Sequence, residues 1–160
     1  MGHGLCAQFA LVGMDVVLID HRESNAERAR ERIERAIDFL GREGLADVEP
    51  AAVLKDVTFT TGLASGVAEA DVVLETVSED IGTKHAVFES AVENAPADAV
   101  LATNTSSLRV TDVAAGVPDE AHWVVGCHWW NPPYLLAPVE AVRGEETSAG
   151  TVARTAEFVE

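Results

Sequence analysis

Short, wholly apolar runs bounded by turn-forming residues recur along this chain, and they restrict its fold more than any other feature. Val72-Val73-Leu74, within Asp71 to Leu74, and Ala99-Val100-Leu101-Ala102, ahead of Thr103, are two of them. A strand that is apolar at every position is buried on both faces, as in a parallel sheet covered by helices. Between the runs lie segments with helical spacing. In the longest, Glu23 to Arg42, the residues Ala29, Ile33, Ala36, Ile37 and Leu40 form an inward stripe, and Glu and Arg fill the outer face. Gly41 and Gly44 are the expected stop signals of that helix.

The remaining pattern follows the same alternation. Helix is expected at Gly2 to Leu11, Ile81 to Asn94 (bounded by Pro96) and Thr147 to Val159, the last capped by Thr or Ser. Strands are expected at Asp15 to Ile19, Val57 to Thr60, Asp71 to Leu74, Ala99 to Thr103 and Val124 to Cys127, with a short extended piece at Val139 to Val142. Strands separated by helices imply parallel pairing through right-handed crossovers. The fold class is therefore α/β, a doubly wound and mostly parallel sheet. A chain of 160 residues is expected to be one domain.

Charge narrows the partners. Asp and Glu number 27 against 11 Lys and Arg, for a formal net charge of −16. Such a surface repels nucleic acid and anionic lipid, so neither is an expected partner. One reading is a soluble acidic protein, and a sharper one is adaptation to high salt, where screening relieves self-repulsion. No apolar run is long enough to span a bilayer. Cys6 and Cys127 make neither a disulfide framework nor a metal site, and read as buried thiols in a cytoplasmic protein.

Two regions carry chemistry. Gly2 and Gly4 open the first helix, and Asp20 ends the next strand. In a dinucleotide fold, glycines let the backbone approach a pyrophosphate at a helix N-terminus, and an acidic residue about 20 positions on accepts from the adenosine ribose. The same residues also suit plain helix-start glycines and a strand-end cap. Such a fold begins with a central strand ahead of this helix, so the sheet is expected to lack its first strand. In the second region, Asn104-Thr105-Ser106-Ser107-Leu108 and His128 each follow a buried strand, where ligands bind in such sheets. Glu140 lies 12 residues after His128. A histidine oriented by a carboxylate takes a hydroxyl proton near neutral pH, and Ser106 would bond the same oxygen. Spacing by itself favours a histidine satisfied by local backbone, with the tryptophans as core.

Taken together, these motifs resemble the 3-hydroxyacyl-CoA dehydrogenase family. Met1-Gly2-His3-Gly4 resembles the second half of its NAD turn. Val16 to Asp20, Glu75-Thr76-Val77-Ser78-Glu79-Asp80 with Lys84, Asn104 to Leu108, and His128-Trp129-Trp130-Asn131-Pro132 with Glu140 match its further motifs. The resemblance covers essentially the whole chain and implies a Rossmann-type NAD-binding domain. It implies that Gly2, Gly4, Asp20, Thr76, Val77, Glu79, Lys84 and Asn104 bind NAD. It further implies that His128 is the general base, that Glu140 orients it, that Ser106 bonds the substrate hydroxyl, and that Asn131 supports the turn. The implied reaction is oxidation of an L-3-hydroxyacyl-CoA to the 3-oxoacyl-CoA. Asn131-Pro132-Pro133-Tyr134-Leu135 also resembles relatives that oxidise free hydroxy acids, such as carnitine or gulonate dehydrogenases. A truncated NAD-binding module without activity is the alternative of another class. The family adds a C-terminal helical domain, expected to be absent here, that carries the homodimer contacts, which leaves this stretch an expected monomer.

Overall fold

The structure is a computed structural model and describes residues 1–160. The described residues cluster into two compact units. The first is Met1–Gly66 with Trp130–Ala137, and the second is Val67–Trp129 with Pro138–Glu160.

The first unit comprises α1 (Gly2–Leu11), β1 (Val16–Ile19), α2 (Glu23–Arg42), α3 (Pro50–Leu54), β2 (Val57–Thr60) and most of α4 (Leu63–Val67). β1 and β2 pair in parallel, from Val16 opposite Val57 to Ile19 opposite Thr60. The stripe of α2 does what its spacing implies: Ile33, Ala36 and Ile37 pack with Cys6, Ala7 and Ala10 of α1, with Val53 and Leu54 of α3, and with Val57. The end of α2 corrects the reading of Gly41. That residue lies inside the helix, where its backbone needs nothing special. Of these two glycines, Gly44 has the positive φ, of 69°. The Leu45 N–H bonds the Leu40 carbonyl at 2.8 Å and the Gly44 N–H bonds that of Gly41 at 3.1 Å, a Schellman closure that requires a left-handed residue at position 44.

The second unit holds β3 (Val72–Glu75), α5 (Ile81–Asn94), β4 (Val100–Thr103), α6 (Val110–Ala114), a 3-10 turn at Ala121–Trp123, β5 (Val124–Trp129), β6 (Val139–Arg143) and α7 (Ala149–Val159). The sheet order is β3-β4-β5-β6. The first three strands are parallel, and β6 runs antiparallel to β5. The nine residues between β5 and β6 contain no helix, too little chain for a parallel crossover. All four residues of β4 are buried, whereas β3 is an edge strand with only Val73 and Glu75 buried, less than its apolar run implied. The helix expected from Thr147 begins at Ala149. The Ser148 side chain caps it by accepting from the Thr151 N–H at 3.0 Å, while the buried Thr147 hydroxyl donates to the Val124 carbonyl at 2.7 Å.

The strands thus fall into two sheets, β1-β2 and β3-β4-β5-β6. The α/β class and the mostly parallel pairing are as the sequence implied.

Candidate active site

Two strand ends build the chemistry of the second unit. β5 and β6 pair so that His128 stands directly opposite Glu140, and the imidazole Nδ1 lies 2.6 Å from Glu140 Oε2. That contact fixes the role of the ring: Nδ1–H donates to the carboxylate, so Nε2 is left as the acceptor. Ser106, in the loop after β4, brings its Oγ to 3.0 Å from Nε2. His128 is one-fifth exposed and Glu140 about half exposed, so the pair meets solvent from one side.

The loop carrying Ser106 is held by Glu79. Glu79 Oε1 accepts from the N–H of Ser106, the N–H of Ser107 and the Ser107 hydroxyl, each at 3.0 Å, and from the Thr105 hydroxyl. Burial opposes ionisation of this carboxyl. The bonds from Thr105, Ser107 and Ser106 outweigh it and bring its pKa down to about 2. Lys84 Nζ stands 3.3 Å from Glu79 Oε2 and 2.9 Å from both oxygens of Glu75. Glu75 also accepts from the Thr103 hydroxyl at 2.7 Å and the Val77 N–H at 2.6 Å. Asn104 Oδ1 accepts from the Trp129 N–H at 2.8 Å and so ties the loop to β5. Thr76 is half-buried and Val77 is exposed at the end of β3.

In the first unit, Asp20 ends β1. Its Oδ1 accepts from the Arg22 N–H at 3.0 Å and from the Asn25 side-chain amide at 2.9 Å. Gly2 begins α1, where the first N–H groups have no helical partner. Gly4 is buried, and a Cβ there would lie 2.9 Å from the Pro133 ring, so its lack of a side chain serves packing against the 131–134 turn. Asn131 is exposed in that turn.

The second unit therefore assembles Ser106, His128, Glu140, Glu79, Lys84 and Asn104. Gly2, Gly4, Asp20 and Asn131 belong to the first. Sequence reasoning missed Glu75, Thr105 and Asn25 as members of these networks. The legible signal for Glu75 was a carboxylate closing an otherwise apolar strand.

A serine, histidine and carboxylate in this order also describe an acyl-transfer triad. Acyl transfer needs N–H groups aimed at a developing oxyanion. Here the Ser106 and Ser107 N–H groups are spent on Glu79, whose negative charge would oppose an oxyanion beside it. The arrangement suits a hydrogen-bonding serine and a proton-accepting histidine, not a nucleophile.

The family described as 3-hydroxyacyl-CoA dehydrogenase, NAD binding domain, matches residues 1–160. The chain belongs to this family. L-Carnitine dehydrogenase of Streptomyces coelicolor is 34% identical over 160 residues, covering 100% of this chain and 49% of the relative. The probable 3-hydroxybutyryl-CoA dehydrogenase of Deinococcus radiodurans is 32% identical over 160 residues, covering 100% and 57%. The crystal structure of M. tuberculosis FadB2 superposes with a TM-score of 0.94 at 33% identity, covering 99% of this chain and 56% of that one. The chain thus spans about half the length of the curated relatives it matches. As an NAD-binding domain of the 3-hydroxyacyl-CoA dehydrogenases, it has a Rossmann-type fold and takes NAD as its cofactor. No helix is long and apolar enough to cross a membrane.

Proposed function

We propose that this domain oxidises the 3-hydroxyl of an L-3-hydroxyacyl-CoA to the 3-oxo product, using NAD. The observation that carries the reading is the Ser106–His128–Glu140 arrangement, in which Glu140 holds Nδ1 and Nε2 is the basic nitrogen facing the Ser106 hydroxyl. The residues present fit NAD. Asp20 has one oxygen fixed by Arg22 and Asn25, which leaves Oδ2 as an acceptor for an adenosine ribose hydroxyl. A carboxylate there disfavours a 2′-phosphate and hence NADP. Gly2 offers an early helix N–H to phosphate. Thr76, Val77, Glu79 and Asn104 line the strand ends β3 and β4, where we place the nicotinamide ribose.

NAD supplies the hydride acceptor when bound. The chain manages the proton. Ser106 Oγ bonds the substrate oxygen and holds it within reach of His128 Nε2. His128 takes the hydroxyl proton as C3 loses its hydride. Glu140 keeps the imidazole in the productive tautomer and balances the imidazolium charge that forms. Asn131 supports the turn that follows β5. Lys84 reaches the same side through its contact to Glu79 Oε2 at 3.3 Å and supports that carboxylate. The proposed setting is a cytoplasmic metabolic enzyme with a small-molecule substrate.

A second reading, oxidation of a free 3-hydroxy acid, is favoured by the 34% identity to L-carnitine dehydrogenase. Reduction of NAD in the presence of 3-hydroxybutyryl-CoA, L-carnitine and gulonate separates the two. Turnover of the thioester supports the leading reading. Turnover of a free acid without the thioester replaces it with the second.

A further inference from the structure

We propose that Glu75 and Lys84 form a buried positioning pair that sets Glu79 and, through it, the loop that presents Ser106. The proposal rests on the role given above to Ser106.

Lys84 is 1% exposed. A buried ammonium costs several kcal/mol of lost hydration, as an order of magnitude, unless close partners offset it. Glu75 is that partner. Both its oxygens lie 2.9 Å from Nζ, and its own position is fixed by the Thr103 hydroxyl of β4 and the Val77 N–H. A pair serving only as a staple between β3 and α5 would be complete at this point. Nζ instead makes a further contact to Glu79, in the segment leading into α5.

The two oxygens of Glu79 divide their work. Oε2 faces the ammonium, and Oε1 gathers both the Ser106 and Ser107 N–H groups. A continuous run of polar contacts therefore leads from Glu75 through Lys84 and Glu79 to the Ser106 backbone. It continues from the Ser106 hydroxyl to His128 and Glu140. Lys84 is not part of the Ser106–His128–Glu140 group, and its contacts run to Glu75 and Glu79. Its effect on chemistry passes through the orientation of Glu79. Misplacement of a reacting group by about 1 Å costs on the order of 100-fold in rate, so a shift in this anchor is expected to show in kcat.

The test compares Lys84→Met with the double variant Lys84→Met/Glu75→Gln in the full chain. The double variant balances the buried charge and keeps an amide oxygen for the Val77 N–H, while the Thr103 hydroxyl can turn to accept from the amide N–H. Three properties are read: the melting temperature, the amide-proton shifts and exchange rates of Ser106 and Ser107, and kcat against KM for NAD reduction. We expect Lys84→Met to lower the melting temperature and the double variant to recover most of it. In the double variant the two serine amides should still exchange about 10-fold faster than in the wild type. Its kcat should stay down about 10- to 100-fold with KM changed less than about threefold. Wild-type serine amide signals and kcat in the double variant would make the pair a staple only and overturn the proposal. If the wild-type chain turns over no substrate, the fault lies with the functional reading. The amide signals then decide the positioning role by themselves.

Discussion

Replacing Glu140 with glutamine removes a charge from the far side of the imidazole while keeping an oxygen within reach of Nδ1. The structure sets the size of the effect. Two unit charges about 4 Å apart interact by ~4 kcal/mol at an effective dielectric constant of about 20 and by ~1 kcal/mol in bulk water. The Glu140 side chain is 54% exposed and that of His128 is 19% exposed, which places the pair nearer the solvent limit. The expected loss of imidazolium stabilisation is therefore about 1–2 kcal/mol, or roughly 5- to 30-fold in kcat. The imidazolium forms only as the proton moves, so KM should hold while kcat falls. Steady-state NAD reduction by the wild type and by Glu140→Gln, with the melting temperature as a control for folding, measures both. A kcat within twofold of wild type would refute the charge-balancing role. A loss beyond about 1000-fold with an intact fold would exceed what screened charges supply and would mean that holding the tautomer, not balancing charge, is the main role of Glu140.

Three further outcomes follow from the same geometry. Burial pushes the Cys6 thiol up to about 12 and the Cys127 thiol up to about 11. Neither should be alkylated by iodoacetamide at mildly alkaline pH in the folded protein, and rapid labelling would contradict their placement. Glu79, with its pKa lowered from 4.5 to about 2, contributes stability that is fully present above pH 4.5 and is lost as the pH falls toward about 2. Its side-chain carbon signal should therefore titrate near pH 2, and a midpoint near 4.5 would mean that the serine loop is not bound to it. With a net charge of −16, the folded state should gain from screening. The melting temperature should rise on moving to molar potassium chloride, and indifference to salt would remove the high-salt reading.

Much of this fold is legible in the sequence because its elements are long or uniform. The bounds of α1, α2 and α5 follow from periodicity and flanking signals, and β4 from an unbroken apolar run. The missed elements, α3, α4, α6 and the 3-10 turn, have five or fewer residues, too few for a helical period to repeat. The antiparallel direction of β6 was hidden because direction is set by the length of the connection, not by the strand's own residues. At the site, Ser106, His128 and Glu140 were legible because each follows or faces a strand end. The Glu75–Lys84–Glu79 network was only half visible. A lysine and two glutamates within ten positions suggest a solvated helix start, and only the packing of α5 on β3 buries the ammonium. At Gly4 the motif hides a packing requirement, since a side chain there would press on the Pro133 ring.

The central claim is that His128 is the base of an NAD-dependent dehydrogenase site. It is tested most directly by comparing wild type and His128→Ala for NAD affinity and for NAD reduction with the best substrate of the panel. The account requires the variant to bind NAD with nearly unchanged affinity and to lose turnover by at least about 100-fold, the scale of general-base catalysis. A variant that reduces NAD at the wild-type rate would remove His128 from the mechanism and contradict the account.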